Sequence, residues 1–293
     1  MAVVAAVEAG NILGESPVWD SQSGLLWWVD IHGRKLHCYD PATARHASLP
    51  LPEQVGSIGL RERDGLIAAT RLGFRFFDPA SGQMTPVTTP GDDPLAGLAD
   101  VRFNDGRCDR HGRFWAGSVQ EKRVPGGAAL YRLGLDRRCE LMVPNVTVSN
   151  GLAWSPDDRT MYFADSHERT IYAFDFDAAA GTMSRRRAFA TYRAGDGIPD
   201  GATVDAEGYL WSAGIGGGRL FRFAPDGRLD RELVMPVTQP TSCTFGGPGL
   251  ATLYVTSAAM RLSDAERERQ PLAGALFALD VGVRGLEEPR YQG

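Results

Sequence analysis

Short runs of large apolar and small residues recur along the chain at nearly even steps. They read Leu26-Trp-Trp-Val-Asp30, Leu66-Ile-Ala-Ala-Thr70, Phe114-Trp-Ala-Gly-Ser118, Met161-Tyr-Phe-Ala-Asp165, Leu210-Trp-Ser-Ala-Gly214 and Leu253-Tyr-Val-Thr-Ser257. Starts at 26, 66, 114, 161, 210 and 253 give steps of 40 to 49 residues. A second run follows each, for example Leu36-His-Cys-Tyr-Asp40, Ile171-Tyr-Ala-Phe-Asp175 and Leu276-Phe-Ala-Leu-Asp280. Alternation of apolar and polar positions marks half-buried strands, and turn residues separate them. Six repeats of this length, each with three or four strands, predict a six-bladed β-propeller of four-stranded antiparallel blades. A βαβ fold needs long amphipathic helices between strands; only Ser263-Asp-Ala-Glu-Arg-Glu-Arg-Gln270 reads as helical. The ring must close, and the run Val3–Val7 is expected to do so as the outer strand of the last blade. Residues 1–293 are expected to form one propeller domain.

Composition narrows the function classes. The 293 residues are 43% hydrophobic and 23% charged, with a net charge of -5, so the chain can bury a large core. Lys and Arg are scattered, so nucleic acid is not an expected partner. No apolar run reaches the roughly 20 residues of a membrane helix, and the start of the chain lacks the basic segment of a signal peptide. Cys38, Cys108, Cys139 and Cys243 form no Cys-x-x-Cys pair, which predicts reduced thiols in a cytoplasmic protein. No blade shows an apolar outer stripe, so a monomer is the expectation.

Candidate chemistry lies at the start of the innermost strand of each blade. Counting back ten or eleven residues from each recurring run lands on Glu15, Val55, Asn104, Asn150, Asp200 and Ser242. Any single Asn or Asp before Gly reads as a turn former, and Pro199-Asp200-Gly201 reads as such a turn. Four oxygen-bearing side chains in register read differently. Innermost strands line the central channel, so Glu15, Asn104, Asn150 and Asp200 converge at one mouth. Two carboxylates and two amides make an oxygen-rich site for one divalent ion: Ca²⁺, Mg²⁺, Mn²⁺, Zn²⁺ or Fe²⁺. None of the five histidines falls in the set. Arg102, two residues before Asn104, shares its strand face and either neutralises the acidic site or binds a substrate oxygen. The segments between second and third strands are long in blades 3 and 6 and sit over the same mouth, as a substrate cover would.

The matching pieces Leu13-Gly-Glu-Ser-Pro-Val-Trp19, Arg102-Phe-Asn-Asp-Gly106, Gly112-Arg-Phe-Trp-Ala-Gly117, Ser149-Asn-Gly-Leu-Ala-Trp154, Ile198-Pro-Asp-Gly201 and Pro240-Thr-Ser-Cys-Thr-Phe-Gly-Gly247 span nearly the whole chain. Through them the chain resembles the SMP-30/gluconolactonase/regucalcin-like family of six-bladed propellers. The resemblance implies a divalent metal held by Glu15, Asn150 and Asp200, and hydrolysis of sugar lactones to aldonic acids. It implies substrate contacts from Arg102 and Asn104, and Asp200 as the acid/base residue. Family members often carry an acidic stretch after the second strand of blade 3. Here it reads Gln120-Glu121-Lys122-Arg123, which leaves Glu121 or Lys122 as the contact. In the implied mechanism the metal acts as a Lewis acid, Asp200 moves the proton, and Arg102 faces the oxyanion. Two alternatives stay open: a propeller that binds a metal without catalysis, and an ester or phosphotriester hydrolase on the same site.

Overall fold

The computed structural model describes residues 3–87, 95, 98 and 100–293. Its strands form six sheets around a central channel. Blade 1 runs outward through Gly14–Asp20, Leu25–Asp30, Lys35–Asp40 and Arg45–Pro50. Blade 3 runs through Val101–Cys108, Phe114–Gln120, Ala128–Leu133 and Cys139–Val146. The inner strands of blades 2, 4, 5 and 6 are Val55–Arg61, Ser149–Trp154, Ile198–Val204 and Pro240–Gly246. All neighbouring strands within a blade that are consecutive in sequence pair antiparallel. Each position predicted to open an inner strand lies in that strand.

The sheets bury both faces against neighbouring blades, so the recurring runs carry large side chains inward. Trp28, Trp115 and Trp211, from the second strands of blades 1, 3 and 5, are fully buried. Trp115, Trp154 and Phe163 fill the space between blades 3 and 4, and Trp211, Phe245 and Phe277 that between blades 5 and 6. Removing 150–250 Å² of aromatic surface from water stabilises the fold by about 4–6 kcal/mol per ring before entropy is counted.

Closure follows the expectation. Val3–Val7 pairs antiparallel with Leu276–Asp280, Val3 opposite Leu279 and Ala5 opposite Phe277, so both chain halves share blade 6. A second closure was not legible. Residues 281–293 cross the lower mouth of the channel, and Arg290–Tyr291 adds to blade 2 as a fifth strand, parallel to Val55–Arg61. On the way Glu288 meets Arg107 at 3.3 Å and Thr244 at 2.8 Å. Tyr291 is buried and its hydroxyl donates to the Gly134 carbonyl.

The predicted helix forms as Asp264–Arg269, with Ser263 and Glu266 making a reciprocal capping box. Among the described residues no helix is long and apolar enough to cross a membrane, and none of the four cysteines is in a disulfide.

Candidate active site

Every inner strand carries a one-residue bulge near its upper end. In blade 1 it falls between Glu15 and Val18, in blade 3 between Phe103 and Gly106, in blade 4 between Asn150 and Ala153, and in blade 5 between Pro199 and Ala202. A bulge twists the strand and re-aims the side chains around it. Here it turns the register positions into the mouth of the channel. The triplet Pro199-Asp200-Gly201 is therefore no turn. It lies inside the strand Ile198–Val204, and Gly201 has no left-handed backbone. What Gly201 supplies is closeness: a Cβ there would stand 2.4 Å from the Ser242 Cβ and 2.8 Å from its Cα in the next inner strand.

Glu15, Arg102, Asn104, Asn150 and Asp200 come together as the buried floor of a cavity of about 490 Å³. The long segment of blade 3 contributes Glu121 and Arg123 to the wall, and that of blade 6 contributes Met260 and Arg261. Glu121 stands at the rim, half exposed, 3.4 Å from the guanidinium of Arg71. Lys122 is turned away from the cavity toward Asp100, at 3.8 Å.

A directed chain of hydrogen bonds runs along the floor from blade 3 to blade 5. Arg102 donates to the Asn104 Oδ1 at 2.8 Å and to the Phe103 carbonyl at 2.9 Å. Asn104 Nδ2 donates to the Asn150 Oδ1 at 2.8 Å and to the Ser149 carbonyl at 2.9 Å. Asn150 Nδ2 donates to the Ser166 hydroxyl at 2.8 Å, which donates to the Pro199 carbonyl at 2.6 Å. Both N–H groups of Asn104 are thus committed to protein acceptors. The amide of Asn150 is fixed with its nitrogen toward Ser166, leaving one lone pair of its oxygen free.

The two carboxylates carry the electrostatic stress. Burial pushes Glu15 well above the usual carboxylate range, with Asp200 and Asp105 adding repulsion against the Ser16 N–H and Arg102. Asp200 is raised by burial and by Asp105, opposed by Arg123, the Gly201 N–H and Arg102. Among the described residues neither carboxylate is in an ion pair, and the Arg102 Nη1 donates to Asn104 and Phe103 instead. Two desolvated carboxylates side by side are stable only with a proton or a cation between them. With the free lone pair of Asn150, this donor set fits a hard, oxygen-seeking divalent cation. Among the described residues no group of three or more His, Cys, Asp or Glu side chains gathers as a metal site, so an amide oxygen must complete the set.

Several supporting residues escaped the sequence reading. Ser166 had no distinguishing signal. Asp105, beneath Asn104, accepts from the Leu152 N–H at 3.1 Å and faces both carboxylates electrically. Asp30 accepts from the N–H groups of Ile12 and Leu13 at 2.9 and 3.0 Å, and Asp165 from those of Thr147 and Val148 at 2.8 and 3.1 Å. These two aspartates tie down the segments leading to Glu15 and Asn150. The signal was present: only blades 1 and 4 end their recurring run in Asp.

Comparison with known proteins agrees with this fold. The model of the family described as SMP-30/gluconolactonase/LRE-like region matches residues 13–259. A 6-deoxy-6-sulfogluconolactonase of Pseudomonas putida is 41% identical over 289 residues, covering 98% of this chain and 97% of that one. A regucalcin of Xenopus laevis is 34% identical over 288 residues, covering 96% and 95%. The solved structure of a calcium-binding protein, regucalcin, from Agrobacterium tumefaciens superposes with a TM-score of 0.94 at 29% identity, covering 99% of this chain and 97% of that one. The chain belongs to the SMP-30/gluconolactonase/LRE-like family.

Proposed function

We propose that this chain hydrolyses a sugar lactone to the aldonic acid, with one divalent cation held by Glu15, Asn150 and Asp200. Its relatives include lactone ester hydrolases by name, and the chain is of that class. The observation that carries the reading is the pair of buried, unpaired carboxylates beside a fixed amide oxygen on the floor of a polar cavity. A cavity of about 490 Å³ lies in the range of small-molecule sites.

A cation at that floor supplies Lewis-acid polarisation of the lactone carbonyl. The residues do the rest. Asp200, buried on the cavity floor, takes a proton from the attacking water. The water oxygen bonds to the carbonyl carbon, and the bond from that carbon to the ring oxygen breaks. Asp200 returns the proton to the ring oxygen, which leaves as a hydroxyl. Arg102 still has N–H groups not engaged by Phe103 or Asn104, and these face the carbonyl oxygen as charge builds on it. Asn104 holds Arg102 and Asn150 in place.

The test is acid release from aldonolactones followed by pH-stat. The panel includes sulfonated gluconolactone, because the Pseudomonas putida relative is named for that substrate. Asp200→Asn is expected to lose about 10²–10⁴-fold in kcat. A chelator is expected to abolish activity and one or more divalent ions to restore it. A chelated Asp200→Asn protein that keeps the wild-type rate above background would sink the scheme. The calcium-binding relative favours a second reading, a propeller that holds a cation without turnover. It predicts calorimetric Ca²⁺ binding lost in Glu15→Gln, with no lactone hydrolysed.

A further inference from the structure

Among the described residues, two arginines over the cavity have no side-chain hydrogen bond. Arg123 comes from the long segment of blade 3 and Arg261 from that of blade 6, and both line the cavity wall. Among the described residues neither is in an ion pair. The neighbouring charges in the blade 3 segment are matched, Glu121 by Arg71 and Lys122 by Asp100. Arg123 is not, and it stands close enough to Arg261 for the two to repel. Partial burial first and then Arg261 lower the Arg123 pKa, with Asp200 opposing.

Both arginines are held from behind. The Arg123 N–H donates to the Gln120 carbonyl at 2.8 Å, and Glu121 is tied to the Asp100 carbonyl at 2.8 Å. Met260, preceding Arg261, donates to the Ile12 carbonyl at 3.0 Å and accepts from Gln239 Nε2 at 2.8 Å. The far end of the blade 6 segment is fastened by Gln270, which accepts from the Thr238 N–H, and by Gly274, which accepts from Asn11. Two unmatched arginines, carried on anchored backbone of separate blades in the lining of one cavity, offer their donors to an anion.

The charge balance agrees. Glu15, Glu121 and Asp200 face Arg102, Arg123 and Arg261 across the cavity, three charges of each sign. A divalent cation on the floor would be met by Glu15 and Asp200, and Glu121 is taken by Arg71, so no lining carboxylate is left for Arg123 and Arg261.

We propose that Arg123 and Arg261 together bind a strongly acidic oxyanion group, a sulfonate or a phosphate ester, carried by the lactone substrate away from its reacting carbonyl. The inference rests on the lactonase reading and adds the substrate class. The arginines bind the substituent at the rim while the lactone lies on the floor. They are specificity residues and take no part in proton transfer.

Both residues have left-handed backbones, φ 50° at Arg123 and φ 60° at Arg261. Asn tolerates that region well, so Arg123→Asn and Arg261→Asn remove the charge without adding backbone strain. The experiment compares kcat/KM for gluconolactone bearing a 6-sulfonate, a 6-phosphate or no substituent, in wild type, both single variants and the double variant. Wild type is expected to favour an anionic lactone at least tenfold, and the preferred arm identifies the anion. Each single variant should lower the ratio of anionic to neutral kcat/KM by about 10–100-fold, mainly through KM. A wild type without preference, or variants that depress both substrates equally, overturns the proposal. If no lactone is turned over, the lactonase reading falls instead, and calorimetry with the sulfonated and phosphorylated aldonic acids decides the anion site. Binding to wild type that the double variant loses supports it; no binding overturns it.

Discussion

Asn104 shows how a residue marked by the repeat can be tied into its neighbours at the cavity floor. Its position in the repeat marked it, but both its N–H groups serve the Ser149 carbonyl and Asn150. It transmits orientation from Arg102 to Asn150, and Ser166 finishes the transfer at the Pro199 carbonyl, next to Asp200. Removing the Ser166 hydroxyl leaves the Asn150 amide held by Asn104 on its oxygen side only. Ser166→Ala should therefore weaken divalent-ion affinity about 10–100-fold, as loss of a ligand's outer partner commonly does. Ion titration by calorimetry checks this, and an unchanged affinity would mean that Asn150 is held by Asn104 alone. Glu15, Asn104, Asn150 and Asp200 were legible because a period exposes any polar type that keeps its register. Ser166 was not, because a serine in a short connection has many ordinary uses. The Pro-Asp-Gly triplet was misread for a related reason: composition cannot separate a turn from a bulge, since both use Gly, one for its φ and the other for its missing Cβ.

The strands carry the site as a set of repeated parts. The inner-strand bulge recurs in all six blades, but only some blades place a ligand-type side chain there. Blades 1 and 4 add a brace, in which Asp30 or Asp165 at the end of the second strand holds two backbone N–H groups of the segment before the inner strand. Blades 3 and 5 brace the lower end, where Asp109 and Asp205 each accept from the indole N–H six residues on, Trp115 at 2.8 Å and Trp211 at 2.9 Å. Charge-assisted bonds to buried N–H groups contribute about 1.5–3 kcal/mol each at most. Asp165→Ala is expected to destabilise the protein by about 2–4 kcal/mol, and to cut activity further by loosening Asn150. Thermal melts beside ion titration separate the effects; a variant with wild-type Tm would show that the brace carries no load. Strand positions and register were readable from alternation. The bulges were not, because one inserted residue leaves the apolar pattern on either side intact.

The whole ring depends on contacts between the two ends of the sequence. Val3–Val7 covers the edge of Leu276–Asp280, so deleting residues 1–7 bares a strand edge in blade 6. That variant is expected to lose on the order of 5–10 °C in Tm and to self-associate on light scattering. An unshifted melt would mean that the ring holds closed without its outer strand. The closure was foreseeable, since a ring of repeats leaves one blade short of a strand. The crossing by residues 281–293 was not, because it uses no repeat and pairs only Arg290–Tyr291 with blade 2.

That crossing also governs traffic. Beneath the site the channel is stitched shut by Glu288 with Arg107 and Thr244, and Arg107 reaches on to Thr203 at 3.0 Å. The voids left there are about 30 and 10 Å³, too small for a sugar lactone. The cavity is accordingly a vestibule with one door. A substrate cannot follow from below as a product departs above, so the two must take turns at the same opening. On the proposed lactonase reading, the aldonic acid and the incoming lactone would compete for that one opening, and added product should inhibit initial rates competitively.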